Sequence, residues 1–258
     1  MNARKDYRGS FYALAKSNFQ ISGLQPYGSF SRALCQIKMA AAIVNCDLGY
    51  LEEKKSSAVY KAGEEFLRGD FDEYFDLDVY QAGAGTPFNM NMNEILSARA
   101  NEILSGKKIV HPNDDINMSQ SSNDVIPTAI RLAAIHDLME LFENGENLRK
   151  ILLKKSKEFG DYLKVGRTHL QDAVPITLGQ EFGAYSFALE KRLKRIKYAA
   201  EELKILGIGG TATGSGINTG DKFAKMMCEQ LEILCEEKGL SAAENKFETT
   251  HRMAVFLS

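Results

Sequence analysis

No run of apolar residues in this 258-residue chain approaches the roughly 20 that a membrane-spanning helix needs. The opening Met1-Asn-Ala-Arg-Lys-Asp-Tyr7 leads into no apolar signal core, so no secretory leader is expected. Cysteine is scarce, and Cys35, Cys46, Cys228 and Cys235 form no C-x-x-C pair. That argues against both a zinc site and a disulfide framework, and a reducing cytoplasm is the expected compartment. Cys228 and Cys235, seven apart on one helix face, are expected to be buried thiols. An excess of charge is lacking too. The net charge of -2 gives no electrostatic case for nucleic acid or an anionic membrane. What is there is ordinary for a globular protein, 44% hydrophobic and 26% charged, and long enough for one large domain or two modest ones.

Helical spacing dominates the chain. From Ser31 to Tyr50, Ala33, Ile37, Ala40, Ala41 and Val44 form one stripe that Gly49 closes. A second helix is predicted over 52–67, ending near Gly69. A third is predicted to start at Asn91 or Asn93 and run to about Leu104, with Pro87 and the glycines before it read as a turn. A long helix follows over about 124–159, with apolar residues from Ile126 to Leu152, crossing Gly145 at some cost and leaving His136 on the surface. Another is predicted over about 178–206. In it, Phe182, Leu189, Ile196 and Leu203 recur every seven residues as a coiled-coil-like seam, with Lys191, Arg192, Lys194, Arg195 and Lys197 on solvated faces. Helices of roughly 30 residues, about 45 Å long, suit an elongated and oligomeric bundle. No strand-like alternation persists, so the fold class is all-α.

Three polar loops interrupt these helices: Gly83 to Asn93, His111 to Asp124 and Val165 to Pro175. The second leads straight into the long helix, with Asn123 or Asp124 as its expected cap and Pro127 tolerated in its first turn. A helix N-terminus gathers N–H donors and partial positive charge, a suitable place for a carboxylate. The loops supply hydroxyls, amides and the imidazoles of His111 and His169, with no nucleophile–base pair and no set of metal ligands. Such a collection suits holding a small polyanion and stabilising charge that develops on it.

One fingerprint is misleading. Gly207-Ile-Gly209-Gly-Thr-Ala212 matches G-x-G-x-x-A, with Glu229 about 20 residues on. The pattern binds a dinucleotide only between a strand and a helix. Here a long helix precedes it and more glycines follow, so NAD binding is rejected. The glycines instead let backbone approach a ligand or a packed helix.

The loops carry a resemblance. Gly85-Thr-Pro-Phe-Asn-Met-Asn-Met-Asn-Glu94 resembles the G-T-x-x-N-M-N-x-N-E motif of the aspartase/fumarase superfamily, and His111 to Asp124 resembles its H-P-N-D-x-x-N-x-S-Q-S-S-N-D motif. Gly166 to Phe182 and Gly210 to Asn218 are similar to a third and a fourth motif, so the likeness runs from about Asn18 onward. It implies an N-terminal helical domain over 1–119, then part of a central long-helix bundle over 120–258. It also implies a homotetramer with active sites shared between subunits, a small dicarboxylate substrate and no cofactor or metal. The implied reaction is elimination through a doubly charged aci-carboxylate. In it, Thr86, Ser121, Ser122 and Asn123 would hold carboxylates or the leaving group. Thr168 and His169 would sit over the reacting carbons, and His111, Asn113 and Asp114 match a second anion site.

Finer features divide. Tyr80, Ala84 and Leu170 resemble aspartate ammonia-lyases, whereas Ser-Gln-Ser-Ser-Asn-Asp and Gly-Gly-Thr-Ala resemble fumarases. Lys108 stands where fumarases have arginine, and Pro87-Phe88 departs from both patterns. The expectation is an aspartate ammonia-lyase, with fumarate hydratase or an inactive lyase homologue as alternatives. No segment matches the family's G-S-S-x-M-P-x-K-x-N loop, which carries its serine base and a carboxylate-binding lysine. Met253 to Ser258 reads as the opening of another core helix, which makes the bundle incomplete.

Overall fold

The apolar stripe on either side of Ile37 becomes a helix because Ala, Leu, Met and Val recur there without a breaker. In the computed structural model, which describes residues 6–83, 85–106 and 109–251, this helix is α2, Gly28–Asp47. A short α1 (Ser10–Asn18) precedes it, and α3 (Glu53–Leu67) and α4 (Thr86–Ile103) follow. A π-helical turn, Pro112–Ile116, leads to α5 (Ser122–Glu158). Next come a hairpin of β1 (Leu163–Thr168) and β2 (Gln171–Thr177), α6 (Leu178–Leu203), β3 (Ile205–Leu206), α7 (Phe223–Cys235), β4 (Ser241–Ala242) and α8 (Lys246–His251). The protein is all-α, its described strands confined to one antiparallel hairpin and a two-residue parallel pairing of β3 with β4.

The chain packs as two units, residues 1–134 with 203–258, and residues 135–202. In the first unit α2 lies between α3 and α7, and α4 packs on α3, α1 and the π turn. Leu34, Cys35, Ile37, Ala40 and Val44 of α2 are fully buried. At about 25 cal/mol per Å² of apolar surface, each large aliphatic side chain so covered contributes roughly 1.5–3 kcal/mol, and this term holds the helices together. Phe66, Phe75, Phe88 and Phe30 extend the core as a chain of ring contacts, centroids 5.7–6.4 Å apart.

Two carboxylates fasten the N-terminal segment to this core. Glu94, buried in α4, accepts the N–H groups of Gly9, Phe11 and Tyr12 and so satisfies the open start of α1. Asp78 accepts N–H groups from Ser22, Gly23 and Tyr80. The Tyr80 amide foremost, with those of Ser22 and Gly23, holds its carboxyl well below the usual range. Cys228 is buried and Cys235 half-buried, and burial pushes both thiols up to about 12.

In the second unit, the later part of α5 packs on α6. Gly145 has its reason there: a Cβ on it would lie 2.7 Å from Leu193 Cδ2, so the glycine lets α6 approach. The heptad residues Phe182, Leu189 and Ile196 are half-buried within the chain, and Leu203 is buried. His136 is exposed, as expected.

Three expectations are corrected. The third helix starts at Thr86, five residues before Asn91, because Pro87 sits in its first turn, where no N–H is required. The Val165–Pro175 segment is not a loop but most of the hairpin, its register shifting between Val165 and Arg167. Pro127 lies in the second turn of α5, where its ring removes the hydrogen bond to the Asn123 carbonyl.

Candidate active site

The N-terminus of α5 is closed by its own sequence. Ser121 Oγ accepts the Asn123 N–H at 3.2 Å, and Asp124 Oδ1 reaches back to the Ser121 N–H at 2.9 Å. This reciprocal pair is a capping box, so the cap is Ser121 and not Asn123 or Asp124. The other oxygen of Asp124 accepts the N–H groups of Gly209 (3.1 Å) and Thr211 (2.9 Å). It thereby draws the glycine-rich turn against the helix start, and Asn123 Nδ2 adds a bond to the Ala212 carbonyl at 2.7 Å. The two-residue strand β3, rather than the long helix α6, directly precedes this turn, and α7 begins only at Phe223.

The start of α4 arrives at the same place. Gly85 takes a left-handed φ of +75° as the residue before the helix, a conformation that suits glycine. The turn puts Thr86 Oγ1 2.9 Å from Ser122 Oγ. Thr86, Ser121 and Ser122 then share a polar cleft of about 420 Å³ with Asn89, Asn113, Asn117, Gln120 and Thr211. Asn89 Oδ1 and Thr211 Oγ1 are buried in its wall without a protein partner. Such groups are costly unless something hydrogen-bonds them.

Behind the cleft lies Lys38 of α2, fully buried. Its Nζ donates to Asn117 Oδ1 and Gln120 Oε1, each at 2.9 Å. Burial lowers the Lys38 ammonium to about 7, opposed by the charge of Asp124. Burial likewise pushes the Asp124 carboxyl up to about 6, opposed by its backbone N–H donors and by Lys38.

The structure thus gathers Thr86, Ser121, Ser122 and Asn113 at one cleft. Asn123 faces a neighbouring, more apolar cleft of about 400 Å³ with Phe30, Phe88, Ile126 and Pro127. His111 and Asp114 are exposed at the π turn, where His111 Nδ1 accepts the Asp114 N–H at 3.1 Å. Thr168 and His169 belong to the other unit. Thr168 ends β1, and His169 and Leu170 form the two-residue turn, exposed and with φ of +48° and +62°. Ala84, Lys108 and Met253 to Ser258 lie outside the described residues. Sequence reasoning missed Lys38, whose only signal was a lone cation inside an alanine-rich stripe, and Thr211, hidden among glycines. Among the described residues, no group of three His, Cys, Asp or Glu is placed to hold a metal ion, and no helix is long and apolar enough to cross a membrane.

Fold and cleft together define an all-α protein whose helix ends converge hydroxyls and amides on one cleft. A sequence model of a family described as Lyase matches residues 2–256. Curated relatives include "Fumarate hydratase class II 2" of Bradyrhizobium diazoefficiens, 43% identical over 94% of this chain and 52% of its own length. "Fumarate hydratase class II" of Nitrosomonas europaea is 46% identical over 90% and 51%. Among solved structures, a class II fumarase from Schistosoma mansoni aligns with a TM-score of 0.90 at 34% identity, over 95% of this chain and 56% of that one. A fumarate lyase:delta crystallin from Brucella melitensis aligns with the same TM-score at 38% identity, over 95% and 54%. The chain belongs to the aspartase/fumarase superfamily of lyases, and it spans about half the length of the curated relatives it matches.

Proposed function

We propose that the whole protein is a cytoplasmic fumarate hydratase that interconverts malate and fumarate. The observation that carries this reading is the cleft where Thr86 and Ser122 meet at 2.9 Å beside the N-terminus of α5. Support comes also from curated relatives at 43% and 46% identity that are named class II fumarate hydratases. They weigh against the aspartate reading drawn from Tyr80, Ala84 and Leu170.

The chemical difficulty is the proton beside an ionised carboxylate, which is very weakly acidic. Its removal leaves a doubly charged aci-carboxylate, and the hydroxyl then departs with a proton as water. Donors set before the charge develops lower that barrier most. In this reading Thr86, Ser121, Ser122 and Asn123 hold a carboxylate and the hydroxyl. Thr168 and His169 act at the reacting carbons, His169 as orienter or proton relay. His111, Asn113 and Asp114 form a second anion site. The sites are shared between subunits of a homotetramer, with the division at 119/120 separating its N-terminal domain from its bundle. Side chains carry the reaction, and no cofactor is invoked.

A second reading, aspartate ammonia-lyase, rests on Tyr80 and Leu170. Paired steady-state kinetics of the whole protein, following fumarate by its ultraviolet absorbance, separate the two. Malate is expected to exceed aspartate in kcat/KM by at least about tenfold, a difference of about 1.4 kcal/mol in transition-state binding. The reverse preference makes the protein an aspartate ammonia-lyase. Turnover of neither makes it an inactive homologue. The 258 residues alone are expected to show no turnover, because they hold no counterpart of the G-S-S-x-M-P-x-K-x-N segment.

A further inference from the structure

Lys38 has no role in the chemistry described above, yet its side chain is fully buried within the first unit. A buried ammonium ordinarily pairs with a carboxylate. Lys38 Nζ instead donates to two neutral amides, Asn117 and Gln120, and both line the cleft. The charged groups of the neighbouring elements are engaged elsewhere. Asp124 of α5, the carboxylate whose charge reaches Lys38, takes three backbone N–H groups. Asp115 of the π turn binds Lys55 of α3 at 2.8 Å and the His111 N–H at 2.7 Å. From α4, Asn89 and Asn93 present neutral amides, and Glu94 serves the start of α1.

The ammonium also fixes the orientation of the amides around it. Because an ammonium only donates, Asn117 must turn its oxygen to Lys38. Asn89 Nδ2 (3.0 Å) and Asn93 Nδ2 (3.4 Å) converge on that same oxygen. This leaves Asn89 Oδ1, like Thr211 Oγ1, unpartnered in the cleft wall. One buried cation therefore sets the polarity of several cleft-lining groups, and its field passes through a wall with little water to screen it.

We propose that Lys38 is a positioning residue for the anion: a buried positive charge behind Asn117 and Gln120 that orients the cleft amides and is balanced by a carboxylate of the ligand. The proposal rests on the reading of the cleft as a dicarboxylate site. It has a thermodynamic consequence. An anion that feels Lys38 must raise the proton affinity of Lys38, and by linkage it must bind less tightly as pH rises through the range where Lys38 loses its proton.

The test uses the whole protein labelled with 13C at lysine Cε, titrated by NMR alone, with succinate and with inorganic sulfate. The Lys38 resonance, assigned by its loss in Lys38→Arg or by its low midpoint, is expected to shift its midpoint upward by about one pH unit when either anion is present. Lys38→Met is expected to weaken succinate binding tenfold or more. It is expected to lower kcat/KM by a larger factor, with Lys38→Arg restoring part of the loss. If neither anion moves the midpoint, the proposal is overturned, whether or not the variants fold. So is it if a folded Lys38→Met protein binds succinate as tightly as the wild type. A raised midpoint in a protein that turns over neither malate nor aspartate upholds the role of Lys38 and removes the proposed activity instead.

Discussion

Asp124 and Thr211, 87 positions apart in the chain, are joined by a 2.9 Å hydrogen bond from the Thr211 amide to the Asp124 carboxylate. The same side chain reaches back to the Ser121 N–H at the start of α5 and accepts the Gly209 N–H, so one buried carboxylate joins both walls of the cleft.

Its charge makes stability depend on pH. Asp124 is raised from 3.8 to about 6 by burial, so the folded state holds its proton more tightly than the unfolded state. The resulting stabilisation is present below about pH 4 and is lost as pH rises through about 6, on the order of 3 kcal/mol. Lys38 runs the opposite way. Lowered from 10.5 to about 7, it contributes stability above its unfolded value that is lost as pH falls through about 7. Urea midpoints from pH 4 to 7 are expected to fall more for the wild type than for Asp124→Asn. Parallel curves would refute this.

Thr86 and Ser122 meet through an exposed bond, which contributes little to folding. Thr86→Val and Ser122→Ala are each expected to change stability by less than about 1 kcal/mol. In the whole protein each is expected to lower kcat/KM by about 10²–10³-fold, the usual cost of losing one preorganised donor. Thermal melts and kinetics on the same preparations check both. A large loss of stability would make the pair structural.

Glu94 serves α1 and not the ligand. Glu94→Ala removes the acceptor for three N–H groups, and a loss of roughly 1–3 kcal/mol is expected. Hydrogen exchange should speed up at Phe11 and Tyr12 and remain unchanged at the start of α5. Unaltered exchange in α1 would contradict this.

The hairpin turn carries a removable strain. Leu170 is 91% exposed at φ +62°, a left-handed conformation that costs an L-residue other than Gly or Asn roughly 1–2 kcal/mol. Leu170→Asn is expected to raise stability by about 0.5–1 kcal/mol. A lower denaturant midpoint would show that the turn is held for another reason.

The helices were legible because burial repeats at helical spacing, as from Ala33 to Val44. The starts of helices were less so. Pro87 reads as a breaker until its place in the first turn is known, and Ser121 hides as a cap because Asn123 and Asp124 are equally good candidates. The hairpin escaped notice because β1 and β2 are mostly exposed and bury no alternating apolar face, and the His169-Leu170 turn lacks the glycine or asparagine that marks such turns. The motifs announced Thr86, Ser121 and Ser122. Lys38 could not be read, since its importance depends on Asn117 and Gln120, about 80 positions away, meeting it in space.

The split of the first unit has a temporal side. Its chain departs at Ala134 and returns at Leu203, so the ribosome must make the whole of 135–202 before Gly209 and Thr211 exist to meet Asp124. At roughly 5–20 residues per second, that takes several seconds. During that interval α2, α3 and α4 can assemble while the Asp124 carboxylate still faces water. Pulse-labelled hydrogen exchange on nascent chains should therefore find amides of α2 protected before those of Gly209 and Thr211.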